Sequence, residues 1–268
     1  MTLTMVQYGV LLWAGFVYGL AKTGITGLTA LLTPVMLAVL TPGQALGLAL
    51  PILLLADSMT VWVLRKSVSW RNVFFAVPWA VAGVLVGWRV LTYAQTLPEG
   101  AGDTLLRRLI AVILIFVVIS GVAMRVFHSR SGTAQAELGD GKDQPAMGRA
   151  RFLFASAVAF VGGTVTMLAN NSGPAWVVYL MMFRLDKFHF LGTVAWLILI
   201  LNAVKMPLAV QLGYVTADSL QANVLMIPTL LAGLYFGRRL LVWIPQKVFD
   251  NVVQILALLG ALYLLFLT

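Results

Sequence analysis

The sequence predicts an all-α integral membrane protein made of two inverted-topology repeats of about five hydrophobic segments each, with broken or re-entrant half-helices meeting near the midplane. Three observations carry that expectation. The 268 residues are 61% hydrophobic and only 10% charged, a balance suited to a chain whose solvent is largely lipid. Long apolar runs follow one another in place of the short alternating segments of a β-barrel. The second half also repeats the first half's spacing of glycines and intramembrane polar residues.

Apolar runs bounded by charge, proline or glycine give ten segments. In the first half they span 6–21, 25–41, 44–64, 73–94 and 106–127; in the second, 151–169, 174–184, 190–212, 219–241 and 247–267. The chain therefore divides into a first transmembrane repeat (1–127), a flexible cytoplasmic linker (128–150) and a second transmembrane repeat (151–268). The first segment lacks the basic leader of a signal peptide and has a counterpart in the second half, so it is expected in the mature fold. Two segments are short. Residues 174–184 would rise only about 16 Å as a helix, roughly half of a ~30 Å hydrocarbon core. Segment 25–41 is marginal and carries Thr26, Gly27, Thr29, Thr33 and Pro34. Each follows a Gly- or Asn-rich stretch, so both are expected to be broken or re-entrant helices whose tips end inside the membrane.

Charge placement orients the segments. All lysines and arginines except Arg89, Arg107, Arg108 and Lys205 fall in the odd-numbered connections. Cytoplasmic loops hold the excess of Lys and Arg, so the odd connections are expected in the cytoplasm and both termini outside it, in a multi-pass inner-membrane protein. The net charge of +9 is accounted for by this anchoring and not by nucleic acid. Five segments per half is an odd number, which inverts the second half relative to the first. Gly47 to Asp57 (GLALPILLLAD) lies over Gly192 to Asn202 (GTVAWLILILN), and Gly83-x-x-x-Gly87 lies over Gly233-x-x-x-Gly237. Inverted repeats are a recurring plan of secondary transporters.

Two polar breaks and two buried charges are the candidates for chemistry. Lys22-Thr23-Gly24-Ile25-Thr26-Gly27 sits at the first break. A helix beginning near Gly24 would direct free N–H groups and its positive dipole end inward. Thr23 and Thr26 add hydroxyls, the glycines admit close approach, and Lys22 adds a full charge, a combination suited to a compact anion. The plainer reading is a loop lysine beside a glycine turn. Asn170-Asn171-Ser172-Gly173-Pro174 is the corresponding break; Pro fits a first helical turn, and Asn or Ser can cap it. An ordinary capped turn would also account for it. Asp57 and Lys205 interrupt long apolar runs. A bare charge at the bilayer centre costs about 2.5–3.5 kcal/mol on insertion scales, so each should face inward and have a partner. Structural pairing with one another or with Lys22, substrate binding by Lys205, and proton exchange by Asp57 remain open, and Asn202 extends the same polar centre.

Several of these strings resemble the TauE/SafE sulfite exporter family. They are AKTGITGL (Ala21 to Leu28), LPILLLAD (Leu50 to Asp57), ANNSGPAWVVYLMMFRLDKFHFLGTVAW (Ala169 to Trp196) and LNAVKMPL (Leu201 to Leu208). The resemblance covers nearly the whole chain outside the linker. It implies export of sulfite or an organosulfonate such as sulfoacetate. It also implies that Lys22, Thr23, Gly24, Gly27, Asp57, Asn171, Gly173, Pro174, Asn202 and Lys205 lie in the family's motif blocks. Thr26, Thr29 and Asn171-Ser172 depart from its usual Pro-, Gly- or Ala-rich pattern.

The leading expectation is thus a secondary transporter that exports a small sulfur-containing anion by alternating access, ion- or proton-coupled. Its partners are that anion and the bilayer, with a homo-oligomer left open and no cofactor or metal implied. Proton-coupled uptake of a small carboxylate and a non-transport scaffold are the alternatives. An enzyme is not expected. The chain has no cysteine, no HExxH motif and no paired intramembrane aspartates, and both histidines lie at segment ends.

Overall fold

The computed structural model describes residues 4–22, 28–113, 115, 148–170, 172–183 and 185–243, and the account below concerns those. Segment 247–267 and nearly all of the linker lie outside them. The described chain is helical, with no β-strand: α1 (Met5–Lys22), α2 (Leu28–Val39), α3 (Pro42–Leu64), α4 (Trp70–Thr96), α5 (101–113), α6 (Arg149–Ala169), α7 (Gly173–Met181), α8 (Lys187–Gln211) and α9 (Ala217–Trp243). Five of these, α3, α4, α6, α8 and α9, are long and apolar enough to cross a membrane. The protein is an all-α, multi-pass membrane protein. Large apolar side chains such as Trp62, Phe74 and Val224 remain exposed on its outside, which suits contact with acyl chains.

Several helices start earlier than their apolar runs, because first turns are built on caps and not on hydrophobicity. The Thr41 hydroxyl accepts from the Gln44 N–H while the Gln44 side chain accepts from the Thr41 N–H, a capping box that starts α3. Asp186 accepts from the N–H groups of Phe188 and His189 at 2.9 and 3.2 Å and starts α8 three residues before the apolar run.

The two halves of the chain interleave. α1, α2 and α3 share a core with α9, whereas α6, α7 and α8 share one with α4. Each half therefore lends its fourth helix to the other, and α3 meets α8 between the two cores. The tightest contacts come in matching pairs. A Cβ added to Gly19 would overlap the Leu230 carbonyl, and one on Gly233 the Phe16 carbonyl; on Gly163 and Gly83 the same atom would overlap the carbonyls of Ala80 and Phe160. Gly47 lies against the Tyr214 carbonyl as Gly192 lies against that of Ser67. Without a hydrophobic drive between helices in lipid, such close backbone approach is a main source of their association.

α2 and α7 are half-helices of 12 and 9 residues, about 18 and 14 Å long and too short for a ~30 Å core. Their outer ends are finished differently. The Arg107 guanidinium, on α5, donates to the carbonyls of Leu37 and Leu40, the latter at 3.0 Å, and Gln7 Nε2 donates to Val39 O at 2.8 Å. These bonds occupy orphan carbonyls at the C-terminal end of α2. They also explain one departure from the charge pattern: Arg107 caps a half-helix. α7 is instead held by an aromatic cluster. Trp176 and Tyr179 are fully buried, the Tyr179 ring lies near those of Phe75 and Phe183, and its hydroxyl donates to Asn72 O at 2.8 Å.

Candidate functional site

α1 ends on Lys22, and α2 begins six residues later. α6 ends at Ala169, and Asn170 turns the chain in the left-handed region (φ 51°) before α7 starts at Gly173. Asn tolerates that conformation better than most residues with a Cβ. The turn places its side chain within reach of α8. Between the two ends run α3 and α8, which carry Asp57, Asn202 and Lys205, each at most 2% exposed.

These side chains form one hydrogen-bonded chain. Lys22 Nζ pairs with Asp57 Oδ1. The other carboxylate oxygen, Oδ2, accepts from Asn202 Nδ2 at 2.7 Å. Asn202 Oδ1 accepts from Lys205 Nζ at 3.1 Å, and the same ammonium donates to Asn170 Oδ1 and, at a long 3.4 Å, to Thr166 Oγ1. Thr33 of α2 adds a further link, donating to Ala169 O at 3.2 Å. The polar groups of both breaks and both central helices thus join across the core.

The charges in this chain are unequal. Lys22 faces a carboxylate directly, whereas among the described residues Lys205 is bonded only to neutral oxygens. Asp57 and Lys205 are buried and Lys22 is partly so. A buried charge without an opposite charge is costly. Among the described residues, two lysines thus stand against one carboxylate in this chain.

Of the residues singled out from sequence, Lys22, Asp57, Asn170, Asn202 and Lys205 are brought together. Thr23, Gly24, Thr26, Gly27 and Asn171 lie outside the described residues. Gly173 opens α7. Ser172 holds the N-cap position but makes no cap bond; its hydroxyl accepts from Trp176 Nε1 at 2.9 Å and so anchors the aromatic cluster. Thr166 went unrecognised in the sequence, since a threonine within an apolar helix has no distinguishing pattern, and Thr33 stood out only as a polar residue of a marginal segment. His189, given no role from sequence, bonds through its ring to Asp186 at the start of α8.

The chain matches the family described as Sulfite exporter TauE/SafE over residues 10–264. No curated relative and no solved structure matches it.

Proposed function

The chain belongs to the TauE/SafE sulfite exporter family, a family of membrane transporters, and on that premise we propose that it is a secondary transporter exporting a small sulfur-containing anion. The anion, sulfite or an organosulfonate such as sulfoacetate, binds at the central polar chain. Lys205 and Lys22 supply charge, and Asn170, Asn202 and the segments 23–27 and 171–173 supply polar contacts. The observation that carries this reading is the buried Asp57 carboxylate, paired directly with the partly buried Lys22 and linked through Asn202 to the buried Lys205.

Alternating access follows from the same plan. Two inverted repeats, each with a half-helix ending at the site, allow one side to open as the other closes. The matched glycine contacts and the exchange of α4 and α9 between cores support that plan. Asp57, held between Lys22 and Asn202, is the group placed to couple transport to a proton. The charge pattern puts both termini outside the cytoplasm, in the inner membrane.

Proteoliposomes loaded with sulfite or sulfoacetate test the reading. Protein-dependent efflux, accelerated by an imposed proton gradient, is expected. Absence of flux for both anions under either gradient would remove it.

A further inference from the structure

The central chain constrains the valence of what it carries, and this inference rests on the anion-binding reading above. Among the described residues, the charged side chains in the hydrogen-bonded chain are Lys22, Asp57 and Lys205. Asp57 is 1% exposed and Lys205 2%, so water does little to screen them. With the three groups ionised, the site's net charge is that of two ammoniums and one carboxylate, a single positive charge.

We infer that the site is matched to a monoanion. A bound monoanion brings the buried cluster to neutrality, whereas a dianion leaves it with an uncompensated negative charge in a low-dielectric centre, which is unfavourable. The chemical class this selects is a compact oxyanion of single charge, such as a simple sulfonate or hydrogensulfite. Sulfate and the fully ionised sulfite dianion are disfavoured. Sulfoacetate carries an ionised carboxylate beside its sulfonate and is disfavoured on the same ground, which narrows the proposed substrates to hydrogensulfite and simple sulfonates.

Asn202 sharpens the point. It lies ten residues after Gly192, as Asp57 lies ten after Gly47, and those two glycines make matching contacts. A second carboxylate at position 202 would make the cluster neutral before any ligand arrives. An amide there keeps the hydrogen bonds to Asp57 and Lys205 and leaves the one positive charge in place.

The test uses the full chain, purified in detergent, in a buffer whose only other anion is bulky. Binding of methanesulfonate and of sulfate is measured by calorimetry at matched ionic strength. For the wild type, methanesulfonate should bind at least about tenfold tighter than sulfate. Asp57→Asn raises the net charge to two, and the preference should reverse toward sulfate. Asn202→Asp lowers it to zero, and both anions should lose affinity. If Asp57→Asn does not fold, the wild-type ratio and Asn202→Asp still decide the matter. Equal or tighter sulfate binding by the wild type would overturn the inference. So would an Asp57→Asn protein that binds with an unchanged ratio, or an Asn202→Asp protein that binds methanesulfonate as the wild type does. Failure of the wild type to bind either anion would instead take down the anion-binding reading itself.

Discussion

At the first break α1 ends on Lys22, whose ammonium pairs with Asp57 on α3; at the second, Thr166 on α6 and Asn202 on α8 stand in the matching places. The correspondence is set by the glycines. Lys22 comes three residues after Gly19 and Thr166 three after Gly163, and those glycines make equivalent contacts with α9 and α4. A scaffold that packs the same way twice therefore carries an ion pair on one side and neutral donors on the other. The second side then adds Lys205, with no carboxylate of its own. The lesson is that packing and chemistry are separable here: matching glycine contacts hold both sides, while the charged side chains differ between them.

The sharpest way to break this comparison is to make the same change on both sides. Lys205→Met removes a buried charge bonded only to neutral oxygens. The fold should survive with thermal stability unchanged or raised, while anion affinity falls by about 100-fold or more. Lys22→Met instead leaves Asp57 buried without its cation. Removing one partner of a buried pair costs about 3–5 kcal/mol, so this variant should unfold well below the wild type in detergent. If both variants lose stability equally, pairing with a carboxylate does not set how much each lysine contributes to the fold.

Much of this arrangement was legible in the sequence, and for definite reasons. A charge in an apolar run must have a partner, so Asp57 and Lys205 were expected to face inward, with pairing to each other or to Lys22 as one of the open readings; Gly- and Asn-rich stretches announced the half-helices. The rest depended on contacts between residues far apart in the chain. Nothing near Arg107 says that it caps α2, 70 residues away, and nothing near Thr166 says that it approaches Lys205. Asn202 was recognisable as a counterpart of Asp57, but its bridging of Asp57 and Lys205 needed the packing of α3 on α8. Helix starts were misjudged at α4, α5 and α8, where polar or aromatic first turns precede the apolar runs.

The frame itself can be tested by loading both sides equally. Gly19→Ala and Gly163→Ala each place a methyl group into a backbone carbonyl of the facing helix. Overpacking of this kind costs about 1–3 kcal/mol. The two substitutions should lower the unfolding temperature by similar amounts, because the contacts they break are equivalent. Unequal losses would show that the paired geometry does not carry equal energy.

The half-helices should respond differently from the frame. Arg107→Gln removes charge-assisted bonds to two carbonyls of α2, worth about 1.5–3 kcal/mol. Tyr179→Phe removes one neutral bond to Asn72 O from α7, about 1 kcal/mol, and leaves the aromatic cluster intact. Proteolysis and hydrogen exchange should therefore find α2 loosened more by its substitution than α7 by its own. Equal protection in the two variants would mean that the aromatic packing of α7 is not the main source of its stability.

The smallest expected effect lies at the start of α8, the helix that carries Asn202 and Lys205. Burial beside the helix raises the Asp186 carboxyl pKa, but bonds from the His189 N–H, the His189 ring and the Phe188 N–H outweigh it and hold the carboxyl below its ordinary value. A depressed folded-state pKa stabilises the fold above the unfolded carboxylate's pKa, about 3.9; that contribution fades as pH falls through the lower folded value. Asp186→Ala removes both the cap and the titration and should cost about 1 kcal/mol at neutral pH. Asp186→Asn keeps a capping oxygen, so it should match the wild type more closely near neutrality while losing part of the acid-dependent fall in stability. Thermal unfolding across the acid limb separates the two. If the asparagine variant retains the full acid dependence, Asp186 does not contribute to it, and the start of α8 is held by packing against Ser67 and Leu64 at Gly192.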